Sequence, residues 1–181
     1  GMFRAVDAET GQELWAIMPF EFAQTTFVDR LRNNQPLIRY PTTDLTITPT
    51  PVPKSYGWDG SIGISQSLEN EIIIYPTMRR GGQMVYAINV TDENTPIIKW
   101  KNGCFNGACT NGFDNIGQTW SAPIVAPAAG YADGNVALFG GGYDICEDAD
   151  TPEPPCASPK GANVYVVDAA EGFLLKTFDT E

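Results

Sequence analysis

Met2-Phe3-Arg4-Ala5-Val6-Asp7-Ala8-Glu9-Thr10-Gly11-Gln12-Glu13-Leu14-Trp15 decides the fold, because the chain writes the same phrase twice more. It returns as Met84-Val85-Tyr86-Ala87-Ile88-Asn89-Val90-Thr91, closing on Ile98-Lys99-Trp100, and as Asn163-Val164-Tyr165-Val166-Val167-Asp168-Ala169-Ala170-Glu171-Gly172-Phe173-Leu174-Leu175. Each copy reads as strand, polar turn, strand. Asp7, Asn89 and Asp168 lie 82 and then 79 residues apart, too far for a hairpin repeat and suited to an elaborated propeller blade. A single blade cannot bury both of its faces, so a repeated blade implies radial stacking.

Working outward, Met2 to Asp7 and Glu13 to Ile17 are expected strands, with Gly11 free to take the left-handed conformation of a tight turn. Phe20 to Asn33 breaks the pattern and predicts one short amphipathic helix, ended by Asn33-Asn34-Gln35-Pro36. The following stretch, Leu37 to Lys54, is crowded with proline, which removes backbone donors, so an extended inter-blade connection or a disordered insert is expected there. Two four-stranded blades come next. The first is assigned Gly60 to Ser67, Glu71 to Thr77, Gly82 to Val90 and Ile97 to Lys101; the second Thr119 to Ala126, Asn135 to Gly140, Ala162 to Asp168 and Phe173 to Phe178. Trp15 and Trp100 stand at equivalent places after the turn and read as packing between blades.

The expected architecture is therefore all-β, a partial propeller of four-stranded antiparallel blades with one short helix and long loops. Its parts are the end of one blade (1–18), the helix and Pro-rich connection (19–58), a second blade (59–101), a cysteine loop (102–118) and a third blade with an acidic, cysteine-bearing insert (119–181). With 43% hydrophobic residues the 181-residue chain can bury a core as a single domain. Its 18 glycines and 14 prolines suit many turns. The formal charge of −11 argues against nucleic acid or anionic membrane as partner, since phosphate contacts require a basic surface. No run reaches the roughly 20 apolar residues of a membrane span, and no signal-peptide order stands at the start. Because the chain begins inside a repeat, it reads as a piece of a longer polypeptide.

Four cysteines fall in two local pairs, Cys104 with Cys109 and Cys146 with Cys156, both expected in polar loops and both read as disulfides of an oxidising compartment. Zinc is the rival reading, but it favours closer spacing and histidine, and the chain has no histidine. Asp144, Glu147, Asp148, Asp150 and Glu153 form an acidic loop that Cys146 and Cys156 would close. A weak calcium site at Asp144, Glu147, Asp148 and Asp150 is weighed there against a solvated acidic loop, which is the favoured reading. Gly140-Gly141-Gly142-Tyr143-Asp144 lacks the lysine and helix of a phosphate loop and reads as close backbone approach. Asn89-Val90-Thr91 has the form of a glycosylation acceptor but sits in strand. Without histidine, and with no carboxylate pair in a distinctive context, no catalytic residue and no cofactor-binding residue is expected.

The run Gly1 to Pro19 resembles the PilC/PilY-type tip-associated proteins of type IV pili. Four further runs are similar in order: Trp58-Asp59-Gly60-Ser61, Arg80 to Asp92, Gly117-Gln118-Thr119-Trp120-Ser121-Ala122-Pro123, and Leu138 to Asp144. The resemblance implies a quinoprotein-like C-terminal propeller of a secreted, extracytoplasmic protein at the outer membrane, cell surface or pilus tip. It implies roles in pilus assembly, control of retraction, adhesion and surface attachment, with pilins, minor pilins and host or abiotic surfaces as partners. The family's calcium loop has no matching positions here, so calcium is expected in the parent protein at most, and no cofactor in this segment. The expected function is that of a non-enzymatic structural and adhesive module. Fragments of a quinone (PQQ)-dependent dehydrogenase or of a periplasmic outer-membrane-assembly scaffold are the alternatives, since one propeller fold hosts unrelated functions.

Overall fold

The three copies of the opening phrase fold alike, down to one irregularity. In the computed structural model, β1 (Phe3–Val6) pairs with β2 (Glu13–Ile17), and the register slips between Ala5 and Val6. Further along the chain, β7 (Gln83–Asn89) pairs with β8 (Ile97–Phe105), slipping between Ala87 and Ile88, and β12 (Asn163–Asp168) with β13 (Leu174–Asp179), slipping between Val166 and Val167. Each bulge thus falls between the second and the first residue before the Asp or Asn. That residue organises the turn in every copy. Asp7 Oδ1 accepts from the Glu9 and Thr10 N–H groups and the Thr10 hydroxyl, Asn89 Oδ1 from Thr91 N–H, and Asp168 Oδ1 from Glu171 N–H. The side-chain oxygen satisfies turn donors that the ladder cannot reach. Bonds to the Thr10 hydroxyl and N–H also hold the exposed Asp7 carboxyl below the ordinary carboxylate range.

The structure describes residues 1–23, 28, 38–39, 52–53, 56–67, 69–131, 134–148 and 158–180, with side chains left aside at 38, 39, 52, 53 and 148. Within these, α1 (Phe20–Ala23) is α-helical, and so is Val28. Most of the remaining expected helix, to Asn33, lies outside the described residues, as does most of the Pro-rich stretch. Two short strands of that stretch, β3 (Ile38–Arg39) and β4 (Val52–Pro53), pair in parallel.

The middle blade runs in the order β5 (Ile62–Gln66), β6 (Ile72–Pro76), β7, β8 and β9 (Ala108–Cys109); the last runs β10 (Ile124–Pro127), β11 (Asn135–Gly140), β12, β13. Every pairing within these two sheets is antiparallel. The middle sheet is buried on both faces, which period-2 alternation makes possible. From it Ile73, Tyr75, Val85, Ala87, Trp100 and Cys104 point into a core shared with Ala137, Phe139, Tyr165 and Val167 of the last blade. Met84, Tyr86 and Ile88, on the opposite face, pack with Phe22 and Trp58, against which Phe3 and Ile17 of the first hairpin also rest. Consecutive sheets therefore stack face to face, as blades do. Trp15 Nε1 donates to Glu93 O at 2.8 Å, and Trp100 Nε1 to Ala169 O at 3.0 Å. Each tryptophan reaches the turn of the next copy. Lys176 takes the corresponding place in the third copy, opposite Val166.

Two strand boundaries differ from expectation by more than two residues. The stretch 102–118 begins as strand, because β8 continues to Phe105 and turns through Asn106 and Gly107, both at positive φ, into β9. Cys104 and Cys109 are consequently opposed in a ladder instead of lying in a loop. Thr119 to Pro123 does not join β10; Thr119 is buried and bonded to the middle blade, and Pro123 has no N–H to give a ladder. The Gly140–Gly142 run packs backbone on backbone as read from sequence: a Cβ at Gly142 would lie 1.8 Å from Gln118 O.

Two predictions arise directly from the repeat. Asp168→Asn should cost less than about 1 kcal/mol, since Asn89 already serves the equivalent turn, whereas Asp168→Leu should cost about 2–3 kcal/mol by removing the acceptor of Glu171 N–H and the bond from the Tyr131 hydroxyl to Oδ2. Equal denaturation midpoints for the two variants would contradict this role. The second concerns the outer side of the last sheet. Val164 and Val166 correspond to Val85 and Ala87, which the next blade covers completely, yet Ile124 and Phe178 beside them are 68% and 51% exposed. An apolar sheet face left open associates. The isolated chain should sediment as a concentration-dependent oligomer, and Val166→Lys with Phe178→Glu should return it to monomer.

Candidate functional site

Thr77-Met78-Arg79-Arg80-Gly81-Gly82 links β6 to β7 through a single 3₁₀ turn, Arg79–Gly81. Arg79 holds φ at 46°, a left-handed conformation that costs a long side chain roughly 1–3 kcal/mol. The surroundings enforce it. Met78 N–H donates to the Thr119 hydroxyl and Arg79 N–H to Thr119 O, both at 2.9 Å, while the same hydroxyl donates to Met84 O at 3.0 Å. On the other side the backbone of Gly57 presses close; a Cβ on Gly81 would lie 1.7 Å from Gly57 O. Glycine at 81 is required by that contact.

This clamping sets two guanidinium groups between two rings. Arg79 Cζ lies 4.3 Å from the centre of the Trp120 ring; Arg80 Cζ lies 5.4 Å from that of Tyr56 and 5.8 Å from that of Trp120. Arg80 Nη1 also donates to the Tyr56 hydroxyl at 3.3 Å. Such stacking is favourable and leaves in-plane N–H groups pointing outward. Among the described residues the ion pairs are Arg4 with Glu13, Lys99 with Glu71 and Lys101 with Glu21. Neither stacked arginine takes part, although Asp and Glu outnumber Lys and Arg by 22 to 11. A cationic corner thus stands in an acidic chain. Beside it opens a cleft of about 190 Å³, lined by Phe22, Tyr56, Met78, Gly81, Met84 and Phe105 among others. Tyr56 belongs to both. The sequence alone marks none of these residues as functional, because Tyr56, Arg80 and Trp120 meet only through the fold.

The acidic residues singled out above are placed differently. Asp144 is half-buried, its Oδ1 accepting from Cys146 N–H at 3.2 Å and Oδ2 from Lys160 N–H at 2.9 Å, so it fastens the loop containing the 3₁₀ turn Ile145–Asp148. Glu147 is exposed. The Asp148 side chain, Asp150 and Glu153 lie outside the described residues. Among the described residues no three metal-ligating side chains converge. Cys104 and Cys109 form a disulfide across the β8–β9 ladder. Cys146 is also disulfide-bonded, while Cys156 lies outside the described residues.

The buried tyrosines complete the local electrostatics. Burial, helped by the Asp114 charge, pushes Tyr165 up to about 12, and its hydroxyl has no partner among the described residues. It packs against the Phe113 and Phe139 rings, which also stack on each other, as part of the core rather than as a reactive group.

No protein-family model matches the chain, and no curated protein does. Among solved structures, the chain is similar to the C-terminal domain of PilY1 from Pseudomonas aeruginosa, with a TM-score of 0.60 and 16% identity. The likeness covers 99% of this chain and 28% of that one. The fold is therefore PilY1-like, an all-β propeller segment, and this chain spans little more than a quarter of the C-terminal-domain chain it matches. No helix among the described residues is long and apolar enough to cross a membrane.

Proposed function

We propose that this chain is a propeller segment of a type IV pilus-associated protein and serves there as a non-enzymatic structural and adhesive module. The observation that carries the reading is the structural likeness to the PilY1 C-terminal domain along nearly the whole chain. The five similar sequence runs, taken in order, point the same way. Face-to-face stacked sheets tied by Trp15 and Trp100 supply a stiff body, and loops carry contacts outward. The Cys104–Cys109 disulfide fits an extracytoplasmic location, on the cell surface or at the pilus tip. In this reading the parent polypeptide supports assembly, restrains retraction and attaches the pilus to surfaces, with pilins or minor pilins as its neighbours.

Deleting the gene of the parent polypeptide should abolish surface pili and twitching, and restoring it should return both. Normal piliation in a deletion strain with no second copy would overturn the proposal in favour of a scaffold role. Adding pyrroloquinoline quinone and calcium to the parent protein should yield no dye reduction. Turnover there would make the segment part of a dehydrogenase.

A further inference from the structure

We propose that the Arg79–Arg80 corner and the adjoining cleft together bind the C-terminal residue of a protein partner, the arginines taking its carboxylate and the cleft its apolar side chain. This inference stands apart from the pilus reading and survives or fails independently of it. Three features carry it. The first is a pair of like charges held side by side: both guanidinium carbons lie within 6 Å of the Trp120 ring centre, and neither has a carboxylate partner among the described residues. Guanidinium edges presented this way match a carboxylate in bidentate geometry.

The second is adjacency. Tyr56 accepts from Arg80 Nη1 and also walls the cleft, and Gly81, the next residue in the chain, lines it too. An anion on Arg80 and a side chain in the cleft are therefore within the reach of one residue, the arrangement that a chain terminus has and an internal acidic side chain lacks. At about 190 Å³ the cleft exceeds the roughly 150 Å³ that encloses a benzene ring, so it accommodates leucine or phenylalanine. Phe22, Met78, Met84 and Phe105 make its wall apolar, and the Glu21 carboxylate that also borders it is already paired with Lys101.

The third is the field of the whole molecule. A chain of net charge −11 repels ligands that carry charge on every unit, such as polyphosphates or polyuronates, more than it repels a single carboxylate on an otherwise neutral segment. A peptide end is the occupant this selects.

The test uses the 181-residue chain and a fluorescein-labelled Gly-Ser-Gly-Phe peptide with a free carboxylate, read by fluorescence anisotropy. Saturable binding is expected, at least tenfold weaker for the C-terminal amide and for Gly-Ser-Gly-Gly. Arg80→Gln should weaken it at least tenfold. Arg79→Gly, which suits the left-handed backbone, should weaken binding while leaving the thermal midpoint unchanged or higher; a merely structural arginine would lower the midpoint instead. Equal affinity for acid and amide, unchanged binding by Arg80→Gln, or no saturation each overturns the proposal. So does equally strong competition by inorganic phosphate or an oligogalacturonate, which would make the corner a general anion or polysaccharide site.

Discussion

Trp100→Ala is expected to lower the stability of this chain by about 3–5 kcal/mol, the cost of truncating a large buried ring that its neighbours cannot replace. The ring is only 8% exposed and meets Tyr75 at 5.9 Å between centres. Its far side rests on Gly172, where a Cβ would come within 2.6 Å of Trp100 Cγ. The indole N–H and the Tyr75 hydroxyl both donate to Ala169 O, so one carbonyl of the last blade anchors two side chains of the middle one. Removing the ring opens the seam between the sheets and takes away one of those bonds. Against a total stability of about 5–15 kcal/mol the loss is large, and it corresponds to a fall of about 10 °C in thermal midpoint. Trp15→Ala supplies the control. It occupies the same register position, opposite Ala5 as Trp100 is opposite Ala87, but is only half-buried, so about 1–2 kcal/mol is expected. Calorimetry on both variants decides the matter: equal losses would mean that the Trp100 seam is not where the blades are held.

What the sequence discloses of this molecule is its local grammar. Asp7, Asn89 and Asp168 announce their turns because a short acceptor side chain beside a bend has few other uses, and the unbroken apolar run Met84 to Ile88 along β7 announces a sheet covered on both faces. The hairpin joining Cys104 to Cys109 also has a local signal, the pair Asn106-Gly107, whose positive φ angles of 50° and 80° are those of a tight primed turn. That signal is offset by the polar, glycine-rich composition of 102–118, which reads as loop. Thr119 misleads for a different reason. Its strand-like neighbourhood is local, but its hydroxyl and carbonyl serve Met78, Arg79 and Met84 about 40 residues earlier. The arginine corner is illegible for the same cause. Arg79 and Arg80 show as ordinary turn residues until stacking brings Tyr56 and Trp120 against them, and no spacing rule records a meeting of three separate segments.

Removing the Lys101 charge should destabilise the fold by about 2 kcal/mol at neutral pH, with a dependence on acidity that identifies the cause. Glu21, in the first turn of α1, is buried at 6% exposure between the first hairpin and the middle blade. Its Oε1 accepts from Lys101 Nζ, and its Oε2 from the Tyr86 hydroxyl at 3.1 Å. Burial pushes the Glu21 carboxyl upward, but the bonds and charge of Lys101, with backbone and Tyr86 support, outweigh it and leave the group below its ordinary value. Burial, followed by the Glu21 charge, raises Tyr86 far above the usual phenol range, so its hydroxyl remains a donor at every relevant pH. A depressed carboxylate contributes stability that is fully present above the unfolded value near 4.3 and is lost as pH falls through the lower folded value. Lys101→Met keeps the apolar stem and deletes the charge, so burial prevails, Glu21 is driven upward, and an uncompensated anion sits in the seam. Breaking a fully buried pair costs about 3–5 kcal/mol; Lys101 is half exposed, and water replaces part of its effect, hence the smaller figure. The gap between wild type and variant should therefore be widest at pH 7 and close only as pH falls through the depressed folded value of Glu21, below the ordinary carboxylate range, where the group becomes neutral in the wild type as well. Urea midpoints at pH 7, 5 and 3 measure it. A gap that does not change with pH would assign the loss to how methionine packs at position 101 and not to the ion pair, and Glu21→Gln alone would then be nearly silent.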